Sequence, residues 1–172
     1  TVASIPSVNC SISTNSIDLG SLYPGGSFST GNHTIATSTS ATTSGYYWAV
    51  YGEGDDSTDA GLYKSSATTY LLASTGSTTI DLTTPGGEGF GLVASDPDGA
   101  GTASITTDFS NGTPGVFGAL DRGPAGAQLL LYQNGPETVS ESSTITYGAK
   151  AGTSAVAGSY QETVTFSCGG YY

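Results

Sequence analysis

The chain has 172 residues, of which only 10% are charged, and its formal net charge is −11 at pH 7. Lys64, Arg122 and Lys150 are its only lysine and arginine residues, so the chain cannot neutralise phosphate groups, which excludes nucleic acids and anionic membrane surfaces as partners. Its polarity comes instead from 26 threonines and 25 serines, which together with 26 glycines are typical of a secreted protein built from strands and turns.

Short runs of alternating apolar and polar residues, separated by turns rich in glycine and proline, predict β-strands and no helix of useful length. In chain order the predicted strands span 7–13, 16–22, 32–39, 45–52, 61–65, 69–74, 78–83, 88–95, 102–109, 127–133, 143–150 and 159–168. Many short strands at this spacing are typical of a sandwich or barrel. With no repeat and no linker, we predict an all-β fold in which residues 1–172 form a single antiparallel β-sandwich domain, immunoglobulin-like or pilin-like.

The most aromatic predicted strand is residues 46–51, which read YYWAVY. Because side chains alternate between the two faces of a strand, Tyr46, Trp48 and Val50 should share one face and the residues between them the other. We expect Trp48 to anchor the core.

The two cysteines lie in predicted strands at opposite ends of the chain. Cys10 falls in the first strand, and Cys168 ends a run in which Val164 and Phe166 alternate with polar residues. We expect a disulfide that joins the terminal strands, worth roughly 4–5 kcal/mol by loop-closure entropy and typical of an oxidising compartment. The alternative is two free, buried thiols. A structural zinc site is excluded, since two cysteines and the single His33 are too few ligands.

Three Asn-x-Ser/Thr triplets are candidate glycosylation sites, at Asn9, Asn32 and Asn111. Pro114 directly follows the third triplet and makes it the poorest of them. No apolar run approaches the length of a membrane span. We interpret Thr1 as the first residue left after removal of an export signal, and expect a secreted protein, extracellular or at the cell surface.

Acidic residues cluster in two predicted loops. One loop holds Asp55 and Asp56, and the other holds Asp96 and Asp98 in an Asp-Pro-Asp-Gly sequence. Oxygen-rich loops of this kind can bind calcium, which takes six to eight oxygen ligands, although the twelve-residue EF-hand pattern is absent. The alternative is a solvated acidic loop without a metal. Calcium is the only cofactor for which the sequence offers ligands.

The sequence contains neither a Gly-x-Ser-x-Gly nor a His-Glu-x-x-His motif, and a pair of carboxylates alone does not establish a glycosidase. We expect the single histidine, His33, to be a loop or edge residue. The protein is therefore predicted not to be an enzyme.

The two ends of the chain resemble secreted fimbrial-type β-sandwiches, including the spore coat protein U family of bacterial surface proteins. The resemblance rests on an early Cys-x-Ile at residues 10–12, and on residues 17–20 (IDLG), 148–150 (GAK) and 157–166 (AGSYQETVTF). It implies an extracellular assembly subunit of a pilus or filament, joined to its neighbours by strand exchange.

Our leading hypothesis is a structural subunit that polymerises with itself into an extracellular filament or surface layer. Residues 1–8 would donate a strand to a neighbour through their apolar side chains, Val2, Ala3, Ile5 and Val8. The alternative is an adhesin or carbohydrate-binding module for surface glycans, with aromatic side chains stacked on sugars: Tyr46, Tyr47, Trp48, Tyr51 and Tyr63. A capsid-like shell protein is a third hypothesis.

Overall fold

The computed structural model of the protein describes residues 5–54, 58–65, 69–74, 78–95, 103–110 and 112–172. Within these ranges the regular structure consists of twelve β-strands and two short 3-10 turns, Thr107–Phe109 and Pro124–Gly126. In chain order the strands are Val8–Ile12 (β1), Ser29–Thr39 (β2), Gly45–Gly52 (β3), Gly61–Lys64 (β4), Tyr70–Ala73 (β5), Thr79–Asp81 (β6), Gly89–Ala94 (β7), Ser104–Ile105 (β8), Val116–Gly118 (β9), Gln128–Asn134 (β10), Glu141–Lys150 (β11) and Val164–Tyr171 (β12).

The strands form two main antiparallel sheets, as the sequence predicted. The first sheet has the strand order β1-β2-β11-β7-β9-β6, and the second has the order β12-β3-β10-β8. Strands β4 and β5 form a small hairpin, which is joined to residue Gln161 by a single bridge at Tyr63. The sheets pack face to face, which confirms the all-β sandwich fold class.

The core between the sheets is built from the alternating residues of β3, as expected. Tyr46, Trp48 and Val50 are almost fully buried and belong to one apolar cluster with Ile35 of β2 and Ile145 of β11. The indole nitrogen of Trp48 donates a 2.7 Å hydrogen bond to Thr37 Oγ1, which supplies the partner that a buried indole needs. Trp48 therefore anchors the core.

Strand β7 is buried on both faces. Leu92 belongs to the core between the sheets, whereas Val93 packs on the opposite side with a second apolar cluster that includes Phe117. Phe28 covers this cluster, with its ring centroid 6.0 Å from that of Phe117. The short strands β6 and β9 thus complete a small second core behind the first sheet.

Cys10 and Cys168 form a disulfide, with their Cα atoms 6.5 Å apart and a sequence separation of 158. Cys10 lies on β1, an edge strand of the first sheet, and Cys168 lies on β12, an edge strand of the second. The predicted bond between the terminal strands is confirmed, and it ties the two sheets together along one edge of the sandwich.

Several predicted strands differ from the observed ones. Residues 16–22 are irregular, because the Asp18 carboxylate accepts a 2.8 Å hydrogen bond from the Gly20 N–H and Gly20 adopts a positive φ of 69°. The last strand begins at Val164 instead of residue 159. Among the described residues of the predicted strand 102–109, only Ser104–Ile105 forms a strand, and β9 was not predicted.

Candidate functional site

A groove of about 1080 Å³ opens at the edge of the sandwich, next to the terminal strands. Its two walls are irregular segments, residues 14–24 and residues 155–162. Apolar and aromatic side chains from both sheets and from the β4–β5 hairpin line the space between the walls: His33, Leu62, Leu72, Phe90, Tyr147, Val164 and Phe166. We call this feature the inter-sheet groove.

The groove exists because β1 is much shorter than the strand it pairs with. Strand β1 has five residues and covers only residues 35–39 of the 11-residue β2. Residues 17–19 lie over the inward face of the rest of β2: an added Cβ on Gly31, which would point to the same face as His33, would come within 2.5 Å of the Ile17 side chain. Among the described residues, no strand pairs with residues 29–34 of β2 on the side of β1.

Two anchors hold the opposite wall, residues 155–162. Gln161 exchanges two backbone hydrogen bonds with Tyr63 of β4, at 2.8 and 3.1 Å. The Glu162 carboxylate accepts hydrogen bonds from the backbone N–H groups of Glu53 at 2.7 Å, and of Gly54 and Gly61 at 3.1 Å. Burial raises the pKa of Glu162, and these backbone donors act in the opposite direction. The wall is thus fixed to the hairpin and to the turn after β3.

His33, predicted to be a loop or edge residue, is not in a loop: it belongs to the section of β2 that β1 leaves unpaired, and its side chain is buried in the floor of the groove. It lies on β2, is 5% exposed, and its Nε2 is 3.2 Å from the Tyr147 hydroxyl. The ring also contacts Phe166, with 5.4 Å between centroids, while Nδ1 has no hydrogen-bond partner in the described part of the chain. Burial lowers the pKa of His33, an effect that the backbone of Thr14 opposes, so the floor is neutral and largely aromatic.

The predicted calcium ligands lie in parts of the chain that the structure does not describe. Asp55, Asp56, Asp96 and Asp98 all fall outside the described residues. Within the described ranges there is no group of three or more His, Cys, Asp or Glu side chains that could hold a metal ion. Calcium binding stays a prediction.

The first two glycosylation candidates are on the surface. Asn9 of β1 and Asn32 of β2 both have exposed side chains, so either is accessible to a modifying enzyme, whereas Asn111 falls outside the described residues. Their modification stays a prediction.

The predicted donor segment leaves the sandwich far from its own groove. Val8 pairs with Thr39 at one end of β1, whereas Ile12, at the other end, lines the groove. Ile5 is 83% exposed, and Ser7 is fixed by a 3.0 Å hydrogen bond from its N–H to Ser40 Oγ. Val2 and Ala3 lie outside the described residues.

The aromatic residues proposed to stack on sugars divide into two groups. Tyr46 and Trp48 are core residues and cannot reach a glycan, which overturns that part of the prediction. Tyr47 and Tyr51 are half-buried on the outer face of the second sheet, and neither lines the groove. Tyr63 is half-buried on β4.

Comparison with known proteins finds no family model, no curated protein and no solved structure that matches this chain. Across the described ranges, no helix combines the length and the apolar character needed to cross a membrane.

Proposed function

We propose that the protein is a structural subunit of an extracellular filament or surface layer, in which each copy inserts residues 1–6 into the inter-sheet groove of its neighbour. The observation that carries this proposal is the groove itself. It places an apolar space of about 1080 Å³ beside the part of β2 that β1 leaves uncovered. An incoming strand would bury its side chains there and hydrogen-bond to the sheet edge.

The chain's own tail supports donation to a neighbour more than insertion into its own groove. Ser7 is held at the end of β1 that lies away from the groove, so residues 1–6 would have to reverse direction to return to it. Fully extended, six residues span about 20–22 Å, enough to lie along a neighbouring strand. Ala3 and Ile5 would share the face that enters the groove, and Pro6 would forgo one ladder hydrogen bond.

The Cys10–Cys168 disulfide supports the extracellular location, because disulfides persist in oxidising compartments. The acidic composition should make assembly depend on the ionic conditions. Copies that each carry a net charge of −11 repel one another, and salt or divalent cations should therefore favour polymerisation.

Deletion of residues 1–6 tests the proposal most simply, since it retains Ser7, its contacts and both cysteines. We expect this variant to remain a folded monomer, by circular dichroism and sedimentation velocity, and to form no filaments in negative-stain electron micrographs. Unaltered polymerisation of the truncated protein would show that the segment is not the donor.

A substitution on the accepting side provides the matched experiment. Val156→Arg places a charge in the groove wall and should block assembly, whereas Val139→Arg makes the same change at a site that is 57% exposed and outside the groove. We expect only the first variant to lose filaments. If both variants polymerise equally, the groove does not accept the strand.

A further inference from the structure

The outer face of the second sheet carries four tyrosines from three adjacent strands. Tyr47 and Tyr51 alternate with the core residues of β3, and Tyr132 of β10 lies directly opposite Tyr47. Tyr171 of β12 lies opposite Gly45, on the same face, and is 41% exposed. We call this surface the tyrosine face: Tyr47, Tyr51, Tyr132 and Tyr171.

Among the described residues, the strand pairings place no charged side chain beside the four rings. The neighbours are uncharged: Thr165, Ser167 and Gly169 on β12, Ala49 on β3, Leu129 and Asn134 on β10 and Ser104 on β8. A partner that binds here meets aromatic rings and hydroxyl groups.

A glycine sets the shape of the face. Tyr47 leans across β12 at Gly169, where an added Cβ would come within 2.6 Å of the tyrosine hydroxyl oxygen. The Tyr47 and Tyr171 rings lie side by side, with centroids 5.5 Å apart and an angle of 39° between their planes. The two rings therefore lie along the sheet as one continuous aromatic surface.

We propose that the tyrosine face binds an uncharged polysaccharide. A pyranose ring presents an apolar C–H face that packs on an aromatic ring, and its hydroxyl groups bond to polar groups such as tyrosine and serine hydroxyls. The negative field of the protein repels anionic polymers, and none of the described strand residues around the rings is a cation that would pair with uronate, sulfate or phosphate groups. An uncharged polysaccharide is not repelled by the net charge of the protein and needs no cation on the face.

The same charge argument separates a polysaccharide from a second copy of this chain. Two copies that met through this face would bring their net charges of −11 together without the backbone hydrogen bonds that offset this repulsion in strand donation, whereas a neutral polymer brings no charge. Tyr47 and Tyr51 are four residues apart on one strand, or about 13–14 Å. The face is longer than one sugar ring, so the ligand is an oligosaccharide stretch of the polymer. This site is separate from the inter-sheet groove and does not depend on strand donation.

The test is affinity electrophoresis of the whole chain at low salt, where its net charge of −11 opposes polymerisation. Native gels would contain hydroxyethylcellulose, galactomannan or carboxymethylcellulose, the last of which shares its glucan backbone with the first but is anionic. We expect retarded migration in a neutral polymer and less in carboxymethylcellulose. Tyr47→Ala and Tyr51→Ala should each weaken binding by about tenfold. Tyr47→Phe keeps the ring and should retain most of the affinity.

Val139→Ala is the control, because it shortens an apolar side chain that is 57% exposed and lies outside both this face and the groove. It should leave migration unchanged, and near-ultraviolet circular dichroism should confirm that every variant is folded. The proposal is overturned by an absence of retardation in both neutral polymers, or by equal losses in the Val139 and Tyr47 variants. It is also overturned if the protein dimerises in sedimentation velocity at low salt and Tyr47→Ala abolishes the dimer, since a second copy would then cover the face.

Discussion

The hydroxyl of Tyr46 donates a 2.6 Å hydrogen bond to Oε2 of Glu141, and this bond links the second sheet to the first through the core. Both residues are almost fully buried, and the other carboxylate oxygen, Oε1, has no partner among the described atoms. Burial and the adjacent Glu141 raise the pKa of Tyr46 well above its usual value, so the phenol stays protonated and remains a donor.

Tyr46→Phe should destabilise the protein, because it leaves the buried Glu141 without its tyrosine donor. We expect a loss of about 1–3 kcal/mol in the free energy of unfolding, measured by urea denaturation. Tyr132→Phe removes a hydroxyl from a half-buried tyrosine on the outer sheet face and serves as the control. Equal stability of the two variants would show that the Tyr46–Glu141 bond contributes little.

Loss of the disulfide should lower stability without changing the fold. The double variant Cys10→Ser/Cys168→Ser opens a loop of 158 positions, and we expect a decrease of roughly 4–5 kcal/mol at most in the free energy of unfolding. Guanidinium denaturation of the oxidised and double-variant proteins measures the difference. A peptide map of the unreduced protein that contains two free thiols would contradict the bond itself.

His33 should make the protein less stable in mild acid. Its pKa in the folded state is lowered by burial, so the unfolded chain takes up the proton first, and the free energy of unfolding falls as the pH drops below about 6.5. Glu162, with a raised pKa, has the opposite effect and adds stability as the pH falls towards 4.5.

Urea denaturation between pH 5 and 8 can isolate the histidine, since the chain has only one. His33→Gln should flatten the decline below about pH 6.5. Tyr147→Phe removes the hydroxyl that contacts the histidine but keeps the imidazole of His33, so this variant should retain the decline. A decline of the same size in His33→Gln would assign the effect to other groups.

The Glu162 carboxylate should control the local stability of the turn after β3. Glu162→Ala removes the carboxylate that accepts from the N–H groups of Gly54 and Gly61, and their hydrogen exchange should accelerate by at least about tenfold. The Glu53 N–H should change less, because it also donates to the Thr163 carbonyl at 3.0 Å. Amides of β11, on the other sheet, provide the internal reference. Unchanged exchange at Gly54 and Gly61 would mean that Glu162 does not hold the groove wall in solution.

Strands whose alternation is reinforced by aromatic residues could be predicted from the sequence. In β3, Tyr46, Trp48 and Val50 face the core as their spacing indicated, because large apolar side chains on one face leave no alternative register. The same alternation was available for His33, which shares the inward face of β2 with Ile35. The prediction of a loop or edge residue rested instead on the position of His33 beside Asn32, a glycosylation candidate.

The groove could not be predicted, because it depends on a strand that does not form. Residues 16–22 alternate like a strand, but the Asp18 side chain bonds to the Gly20 N–H and the backbone turns there. An Asp-x-Gly sequence is the available signal for that turn. The positions of Tyr132 beside Tyr47 and of Tyr171 beside Gly45 were not predicted, because they follow from strand register, which the sequence alone does not specify.

Photocrosslinking tests strand donation into the groove most directly. A benzoylphenylalanine at position 5, which is 83% exposed in the isolated subunit, would be irradiated under assembling conditions and the products mapped by mass spectrometry. The account predicts crosslinks between copies, with attachment to residues 14–24 or 155–162, the groove walls. Crosslinks confined to one chain, or attached outside the groove, would contradict it.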